Sequence, residues 1–418
     1  MARDLGHVRR NLRGVVEEAL DAFRGVVLTG ARQVGKSTLA RDVCTRRRGT
    51  YVSLDDETAL EAARRDPVGF IDRPPPVAID EVQRGGDALL RAIKARVDIR
   101  RRRGSFLLTG STRFLSLPRL SESLAGRIEI LDLWPFSQGE LRRCRDGLAD
   151  RLFGPAPALR GIRHPRATLE LVAGWLCRGG FPEVQSLRPA LRRRWFASYV
   201  RTVTQRDVLE VSRLRQVHEL PRLLRLLAAR TAQEVNVQHV STDLGMPRTT
   251  LLGYLAAVEM AYLWHRLPAW SRNLTAKVVR HPKGFIPDTG LATYLLGVDP
   301  TALLLPQSHL LGPLLETFVV GEMARQRGWA RIDHDLFHFR DRSGVEVDLV
   351  LEARDGRVAA VETKAAATVS ARDFAGIDLL HDRLGDAFSH GVVLYLGDAI
   401  QSFGDRRTAL PLGALWAG

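Results

Sequence analysis

Short apolar runs recur along the first third of the chain, and each one ends in polar or glycine-rich residues. The runs are GVVL at 25–28, VAI at 77–79 and FLL at 106–108. Runs of this length are typical of buried strands, and the segments between them carry helical patterns. Strands that alternate with helices indicate a parallel sheet covered by helices. We therefore predict an α/β domain over residues 1–140.

The apolar pattern takes a helical period in the middle of the chain. An amphipathic helix is predicted within 219–234, a short helix closed by a glycine within 236–245, and a longer helix that begins at Pro247. Three helices with a tight glycine turn before the third one predict a winged helix-turn-helix over residues 216–305. The stretch AKVVRHPKG at 276–284 would belong to its two-stranded wing.

The last third carries strand-like alternation around a polar turn. Apolar and polar positions alternate on both sides of RDG in GVEVDLVLEARDGRVAAVETK, which predicts a β-hairpin. A two-residue turn at Asp355–Gly356 would place Asp348 and Glu362 on opposite faces of the sheet. A three-residue loop would instead set Asp348 directly across from Glu362, and Gly356 suits the left-handed position that such loops use. We expect the three-residue loop.

The charges on this hairpin need an explanation, because central strands normally carry apolar residues. Opposed carboxylates repel each other, so the expected register of Asp348 and Glu362 requires a cation between them. Lys364 is one such cation, and a divalent metal is another. Glu316 shares a helix face with apolar residues, so its carboxylate also needs a partner. We predict that these four residues meet in a C-terminal α/β domain over 306–418, either as a metal site or as a buried ion-paired cluster without activity.

A phosphate-binding loop follows the first apolar run. The stretch GARQVGKST fits the pattern G-x-x-x-x-G-K-[ST] in full. Gly30 and Gly35 let backbone N–H groups close around a phosphate, Lys36 can reach the β- and γ-oxygens, and the Ser37 hydroxyl can bind Mg²⁺. Thr38 is assigned to the same site. The sequence therefore predicts ATP and Mg²⁺ as ligands.

Two further strand ends should meet this loop. Asp80 ends the second apolar run and would hold the Mg²⁺ water shell, and Glu81 would activate the attacking water. Thr109 or Ser111, at the end of the third run, would sense the γ-phosphate, because that end of the sheet faces it. A plain strand-terminating turn is the alternative for Thr109 and Ser111.

Positive charge is concentrated in the middle of the chain. The formal net charge is +15; residues 141–290 hold 25 lysines and arginines against 11 acids, net +14, whereas 291–418 have a net charge of −5. A GC-rich genome would raise arginine everywhere, so this asymmetry favours a local polyanion-binding surface over a merely solvated one. Residues 141–215 are predicted as arginine-rich helices that form a lid or linker.

The third helix of the predicted winged helix-turn-helix offers the candidate DNA contacts. Arg248, Thr249 and Thr250 begin that helix, where side chains enter a major groove in DNA-binding members of the class. A winged helix that docks protein is the alternative. We favour DNA because of the local positive charge.

The cysteines and the hydropathy of the chain indicate its cellular compartment. Its three cysteines are far apart and form no CxxC pair, which argues against a disulfide framework or a zinc site. The N-terminus lacks the apolar core of a signal peptide, and no uncharged apolar run reaches the ~18 residues that suggest a membrane span. We expect a cytoplasmic protein without a membrane partner.

Several motifs together resemble a widespread prokaryotic family of AAA-type P-loop ATPases. The motifs are GARQVGKSTL, AIDEVQR, LLTGST, SLAGR and LWPFSQGEL, and GGFPE, DTGL and EVD…ETK follow in the family's order. Its members join the ATPase to a C-terminal domain of uncharacterised function that is related to PD-(D/E)XK nucleases. The resemblance runs from about residue 9 to the end, and Ala31 stands where the family often has proline.

This resemblance implies roles for several residues. Arg127 in SLAGR would contact the γ-phosphate, within its own subunit or from a neighbour in a homo-oligomer; a surface ion pair is the alternative. Asp348 and Glu362 would bind Mg²⁺, Lys364 would orient water or stabilise developing charge, and Glu316 would be the helix acid of a restriction-endonuclease-like domain.

We expect an ATP-hydrolysing enzyme that acts on DNA, with metal-dependent nuclease activity as an open possibility. The alternatives are an ATP-dependent switch that binds DNA or protein without cleaving it, and a protein-remodelling ATPase whose winged helix docks partners. DNA-stimulated ATP turnover would distinguish the DNA-acting enzyme and the switch from a protein-remodelling ATPase. Metal-dependent cleavage would distinguish the DNA-acting enzyme from the switch.

Overall fold

A parallel sheet forms the N-terminal part of the protein. The computed structural model describes residues 8–110, 126–155, 157–207, 217–272 and 281–417. The strands of this sheet are β1 (Gly25–Thr29), β2 (Thr50–Ser53), β3 (Val77–Asp80), β4 (Phe106–Thr109) and β5 (Ile128–Asp132). They lie in the order β2-β3-β4-β1-β5, all parallel. The three strands predicted from the apolar runs are therefore confirmed, and the run ends meet at one edge.

Helices cover both faces of this sheet. They are α1 (Leu12–Ala22), α2 (Lys36–Arg46), α3 (Glu57–Arg65), α4 (Pro67–Phe70) and α5 (Gly86–Arg100). Alternate strand residues pack on opposite sides, with Val26 and Leu28 in one core cluster and Val27 in the other, as the period of two in a strand requires. The arginine run after residue 98 closes α5, where Arg101 takes a left-handed backbone conformation.

The arginine-rich segment is helical where it is described, as predicted. Its helices are α6 (Gln138–Leu141), α7 (Leu148–Leu152), α8 (Pro157–Arg160), α9 (Leu169–Arg178) and α10 (Pro189–Thr202). Side-chain caps fix two of their starts. Ser137 and Glu140 form a capping box at α6, and the Thr168 hydroxyl accepts from Leu171 N at α9.

Three helices and a small antiparallel sheet follow. The helices are α11 (Leu220–Ala229), α12 (Val237–Leu244) and α13 (Arg248–Met260), and the strands are β6 (Gln233–Glu234), β7 (His265–Leu267) and β8 (Lys283–Phe285) in the order β6-β8-β7. Asn236 caps α12, and Gly245 closes it, as the sequence predicted, in a left-handed conformation. Of the predicted wing, residues 273–280 lie outside the described part.

A mixed sheet forms the C-terminal part. Its strands are β9 (His334–Arg340), β10 (Glu346–Ala353), β11 (Val358–Lys364), β12 (Phe388–Tyr395), β13 (Gln401–Ser402) and β14 (Arg407–Pro411). They lie in the order β13-β14-β12-β11-β10-β9. The remaining helices are α14 (Thr289–Leu296), α15 (Pro300–Leu303), α16 (Leu311–Arg327) and α17 (Ala375–Leu384). α16 lies against β9 and β11.

One apolar core connects these parts. Buried residues of a single cluster run from α1 through α9 and α13 to the C-terminal Trp416. Trp416 shows the continuity, because its ring meets Trp175 edge-on at 5.2 Å and Phe318 at 6.3 Å. The parallel sheet that carries the predicted phosphate-binding loop and the C-terminal sheet therefore belong to one packed body. Among the helices of the described residues, none combines the length and apolarity that a membrane crossing requires.

Candidate functional site

The phosphate-binding loop connects β1 to α2 and needs glycine at both ends. A side chain at Gly30 would place its Cβ 2.2 Å from the carbonyl oxygen of Leu133. Gly35 has a φ of 97° and forms the N-terminal cap of α2, a conformation that favours glycine. The ammonium of Lys36 is buried and donates to the carbonyl oxygens of Gly30 at 2.9 Å and Ala31 at 2.8 Å.

Hydroxyl groups converge on the carboxylate of Asp80 at the end of β3. Ser37 donates to Asp80 Oδ1 at 3.0 Å, Tyr51 donates to Oδ2 at 3.0 Å, and the Thr109 hydroxyl also donates to Oδ1. Burial, with the Asp80 charge next, raises the pKa of Tyr51 to about 12. A carboxylate and a serine hydroxyl side by side are oxygen ligands that fit Mg²⁺. Ser37, Asp80 and Thr109 thus lie together as predicted.

Glu81 lies beside this carboxylate in a strained backbone conformation. Its φ is 52°, which is uncommon for a residue with a side chain. Gln83 donates to Glu81 Oε2 at 2.5 Å. Burial raises the pKa of Glu81, and the charge of nearby Lys36 opposes that rise. A carboxylate with a raised pKa, close to the phosphate-binding lysine, has the properties of a general base.

Arg10 fastens the phosphate-binding loop to the segment after β5. Its buried guanidinium donates to the carbonyl oxygens of Val34 at 2.7 Å and Trp134 at 2.5 Å, and to Glu140 Oε1 at 3.0 Å. It also lies over the ring of Phe136, 4.7 Å from the centroid. One side chain therefore fixes three chain segments next to the loop.

A cavity of about 200 Å³ opens beside this arginine and the start of α2. The predicted site residue Thr38 is exposed and lines it, with Val34 on the loop side. Phe136 and Pro182 also line it. The cavity adjoins the phosphate-binding loop and offers an apolar ring and an arginine to a flat ligand.

The structure corrects the expectation that Arg127 contacts the γ-phosphate within its own subunit. Ile128 pairs with Gly25, so Arg127 lies at the amino end of the parallel strands, across the sheet from the phosphate-binding loop. Its guanidinium pairs with Asp98 near the end of α5. The alternative interpretation, a surface ion pair, describes this contact. Ser111, the other candidate sensor, lies outside the described residues.

Tyr262 connects α13 to the end of β1. It follows the helix with a φ of 58°, and its hydroxyl bonds Thr29 Oγ1 at 2.9 Å and the Asp132 carboxylate. Thr29 donates to the same carboxylate at 2.7 Å and is the residue before the phosphate-binding loop. Trp134 lies edge-on to the Tyr262 ring at 5.5 Å. Tyr262, just after the predicted recognition helix α13, thus contacts β1, the strand that leads into the phosphate-binding loop.

Asp288 accounts for two motifs to which the sequence assigned no chemistry. Its carboxylate accepts from Leu291 N at 3.0 Å, which caps α14, and from Gly180 N at 2.6 Å. Asp288 belongs to DTGL and Gly180 to GGFPE, so one buried side chain joins the two motifs. A Cβ at Gly290 would lie 2.6 Å from the carbonyl oxygen of Arg178, so this junction excludes a larger residue there.

The carboxylates of the C-terminal hairpin lie together in the register of the three-residue loop. Leu349 pairs with Val361, which sets Asp348 across from Glu362 and confirms the expected register. Asp348 N donates to Glu362 Oε2 at 3.3 Å, and Thr363 N donates to Asp348 Oδ2 at 2.9 Å. Gly356 takes a φ of 87° in the loop.

The predicted companions of these carboxylates are in place, and a further cation lies among them. Lys364 donates to Glu362 Oε1 at 3.2 Å. Glu316 approaches from α16, but its partner is Lys283 of β8, whose ammonium lies 2.7 Å from Glu316 Oε1. The same ammonium lies 3.8 Å from Asp348 Oδ1. A second cation, besides the predicted Lys364, is thus supplied from a separate sheet.

Burial and mutual repulsion shift the protonation of this cluster. Burial, with Asp348 next, raises the pKa of Glu362 to about 8 and that of Glu316 well above its ordinary value. Burial lowers the pKa of Lys283, but Glu316 and Asp348 outweigh it, so the net pKa is raised and the lysine is charged. No three or more histidine, cysteine or carboxylate side chains within the described residues surround a point as metal ligands do.

The predicted DNA contacts lie on the surface. Arg248, Thr249 and Thr250 form the first turn of α13, and all three are exposed. Leu251, directly after them, is buried in the core. The polar residues therefore point away from the packed side of the helix start.

Sequence reasoning missed Lys283 and Arg10, and only the first had a detectable signal. Lysine is rare here, with five residues among 62 cationic side chains. Three of these five, Lys36, Lys283 and Lys364, lie in the two sites just described. A lysine retained among so many arginines was therefore a hint. Arg10 stands among other N-terminal arginines and has no distinguishing pattern.

The fold and the loop define the first part as a P-loop ATPase domain. An AAA domain model matches residues 22–142, and two domains of unknown function, DUF8612 and DUF4143, match residues 169–302 and 311–415.

The chain belongs to the family of two uncharacterised mycobacterial proteins, Rv2008c of Mycobacterium tuberculosis and Mb2031c of Mycobacterium bovis. Each is 30% identical over 365 residues, which is 87% of this chain and 75% of the relative.

Three solved structures match this chain at low sequence identity. The Walker-type ATPase PABY2304 of Pyrococcus abyssi has a TM-score of 0.43 and 16% identity, over 71% of this chain and 97% of its own. The Holliday junction branch migration motor RuvB of Thermotoga maritima has a TM-score of 0.30 and 18% identity, over 62% and 89%. AMPPCP-bound DnaA of Aquifex aeolicus has a TM-score of 0.30 and 13% identity, over 59% and 86%.

Proposed function

We propose that this chain binds ATP and hydrolyses it at the edge of the parallel sheet. The observation that carries the proposal is the convergence of Lys36, Ser37, Asp80 and Glu81 at one edge of the sheet. Lys36 would exchange its two carbonyl acceptors for phosphate oxygens, and Glu81 would take the proton of the attacking water. Mg²⁺, held through Ser37 and Asp80, would offset the charge on the phosphates.

The cavity beside Arg10 is proposed to take the adenine ring. It lies next to the phosphate-binding loop, and its walls offer the Phe136 ring and the backbone around Val34. Arg10 holds that backbone in place through its bond to Val34 O. Thr109, bonded to Asp80, is proposed to sense the γ-phosphate through that carboxylate.

Two substitutions test the proposed hydrolysis. Glu81→Gln should retain ATP binding and lose about 10²–10⁴-fold in turnover, the usual contribution of a positioned base. Lys36→Ala should weaken binding itself. Glu57→Gln is a matched control, since Glu57 is exposed on α3 and pairs only with Arg84 among the described contacts. Turnover of Glu81→Gln at the wild-type rate would reject Glu81 as the base.

We propose that α11 to α13 with the three-stranded sheet form a winged helix-turn-helix that binds DNA. The observations in support are the exposed Arg248, Thr249 and Thr250 at the start of α13 and the net charge of +14 over 141–290.

The wider proposal is an ATPase that acts on DNA in the cytoplasm, with domains at 1–140, 141–215, 216–305 and 306–418. Self-association is proposed as well. Arg127 lies far from the phosphate-binding loop of its own subunit, so it could contact a nucleotide only in a neighbouring subunit.

Salt-dependent binding of the full chain to duplex DNA tests this part of the proposal. Arg248→Ala should lower the affinity and, for a phosphate contact, reduce the salt slope by about one. Arg65→Ala is the control, because Arg65 is an exposed cation on α3, outside the proposed DNA-binding module, and pairs with Glu61. Binding that does not change with salt would point to a surface for protein instead.

A second candidate function is metal-dependent cleavage of DNA by the C-terminal domain. The observation that favours it is the register that sets Asp348 across from Glu362, with Lys364 on the same strand as Glu362 and Glu316 approaching from α16. With ATP and Mn²⁺ or Mg²⁺, the protein should then cut DNA, and Lys364→Ala should abolish cutting while ATP hydrolysis continues. If no DNA is cut under any of these conditions, the nuclease proposal is rejected and the alternative, an ATP-dependent switch with an inactive C-terminal domain, is favoured.

A further inference from the structure

The ammonium of Lys283 occupies the centre of the C-terminal carboxylate cluster although it comes from another part of the chain. Lys283 lies on β8, the middle strand of the small three-stranded sheet, and its residue is only 3% exposed. Its Nζ lies 2.7 Å from Glu316, 3.5 Å from Glu346 and 3.8 Å from Asp348. Three carboxylates from α16 and β10 therefore share one cation that neither element supplies.

Negative charge still exceeds positive charge in the cluster. Five carboxylates lie within ion-pair distance of three cations, and these residues are Glu316, Glu346, Asp348, Glu362 and Asp373 with Lys283, Arg340 and Lys364. This formal excess of two negative charges matches a divalent cation, for which carboxylate oxygens are common ligands.

An ammonium and a divalent cation compete for the same oxygens. An ammonium holds its partners through hydrogen bonds at about 2.7–2.9 Å, whereas Mg²⁺ binds oxygens at about 2.0–2.1 Å. Glu316 Oε1, at 2.7 Å from the lysine, is therefore held at hydrogen-bonding distance, and the other carboxylates lie farther away. With Lys283 in place, the carboxylates do not close around a metal, which agrees with the lack of a metal-like arrangement in the described residues.

We propose that Lys283 is a built-in competitor that keeps a divalent-cation site at Asp348, Glu362 and Glu316 closed. Withdrawal of β8 from the cluster opens the site to Mg²⁺ or Mn²⁺. The inference rests on the metal site proposed above and is independent of the proposed ATP hydrolysis. The small sheet also touches the nucleotide domain, because the His265 ring on β7 meets Trp134 edge-on at 5.8 Å. The element that carries the competing lysine thus has a physical connection to the segment after β5.

Binding of Mn²⁺ to the full-length protein without nucleotide tests the proposal. We expect Lys283→Met to bind Mn²⁺ at least about tenfold more tightly than wild type, a change of about 1.4 kcal/mol. Arg266→Met, a cation on the neighbouring β7 that pairs with Glu259, should leave the affinity unchanged. Adding Asp348→Asn to Lys283→Met should remove the gain, which assigns the bound Mn²⁺ to the cluster rather than to Ser37 and Asp80.

A second variant keeps the test valid if Lys283→Met prevents folding. Lys283→Gln removes the charge, keeps an amide that can donate to Glu316, and leaves all three carboxylates of the proposed site in place. It should also bind Mn²⁺ more tightly than wild type. Equal affinity of wild type and either folded variant would overturn the proposal and make Lys283 a permanent ion-pair partner. A Lys283→Met protein that binds Mn²⁺ but cuts no DNA would remove the nuclease proposal and leave this one standing.

Discussion

Replacement of Arg10 by methionine should destabilise the ATPase domain more than its position near the N-terminus suggests. The guanidinium is buried, pairs with the equally buried Glu140 at 3.0 Å, and donates to two carbonyl oxygens at 2.7 Å and 2.5 Å. Removal of one partner from a buried ion pair costs about 3–5 kcal/mol, because the remaining charge stays buried. For a domain of about 150–250 residues, each kcal/mol lowers the melting temperature by about 2–4 °C. We therefore expect a decrease of about 6–20 °C.

Thermal unfolding followed by circular dichroism, with and without ATP, measures this effect. Arg13→Met is the matched control three residues later, because the ion pairs of Arg13 among the described residues are long, with Glu17 at 3.8 Å and Asp42 at 3.5 Å. Such pairs contribute about 0.2–1 kcal/mol, so the control should shift by less than about 4 °C. Arg10→Lys should fall between them, since the three acceptors bond three separate guanidinium nitrogens, and a single ammonium nitrogen cannot take all three positions. Equal melting temperatures for the two methionine variants would refute the reasoning.

Three further outcomes follow from the described contacts. Tyr262→Phe should reduce DNA stimulation of ATP turnover more than basal turnover, with Tyr294→Phe in α14 as the control; equal loss of both rates would contradict coupling through the Tyr262 hydroxyl. Asp288→Ala leaves Gly180 N and the start of α14 without an acceptor and should cost about 1–3 kcal/mol of stability in urea unfolding. In Lys283→Met, Mn²⁺ affinity should rise with pH, because burial raises the pKa of Glu362 and a metal binds the carboxylate only after it loses its proton; a flat profile would contradict its role as ligand.

The sequence was sufficient where function depends on residues close together along the chain or at predictable strand ends. The apolar runs before Gly30, Asp80 and Thr109 predicted parallel strands, and parallel strands bring their carboxyl ends to one edge. The pairing of Asp348 with Glu362 followed from the loop length and Gly356, because hairpin register is local. These features need no knowledge of distant packing.

Contacts between distant segments could not be predicted in this way. Lys283 and Asp348 are 65 positions apart and meet only because the small sheet packs against the C-terminal one, where Trp270 N donates to His338 O at 2.6 Å. Arg127 was misplaced for a related reason. The SLAGR motif does not show at which end of the sheet Arg127 lies. The pairing of Ile128 with Gly25 shows that Arg127 lies at the amino ends of the strands, away from the phosphate-binding loop.

The shared lysine also limits how this protein can evolve. Lys283 lies in the segment that one domain model matches, at 169–302, whereas its carboxylate partners lie in the segment that another matches, at 311–415. Recombination that exchanged either segment for a distant homologue would leave carboxylates without their cation or a buried ammonium without its anions. Each outcome is costly inside a protein. The two segments should therefore be inherited as a pair, and substitutions at Lys283 and Glu316 should occur together across the family.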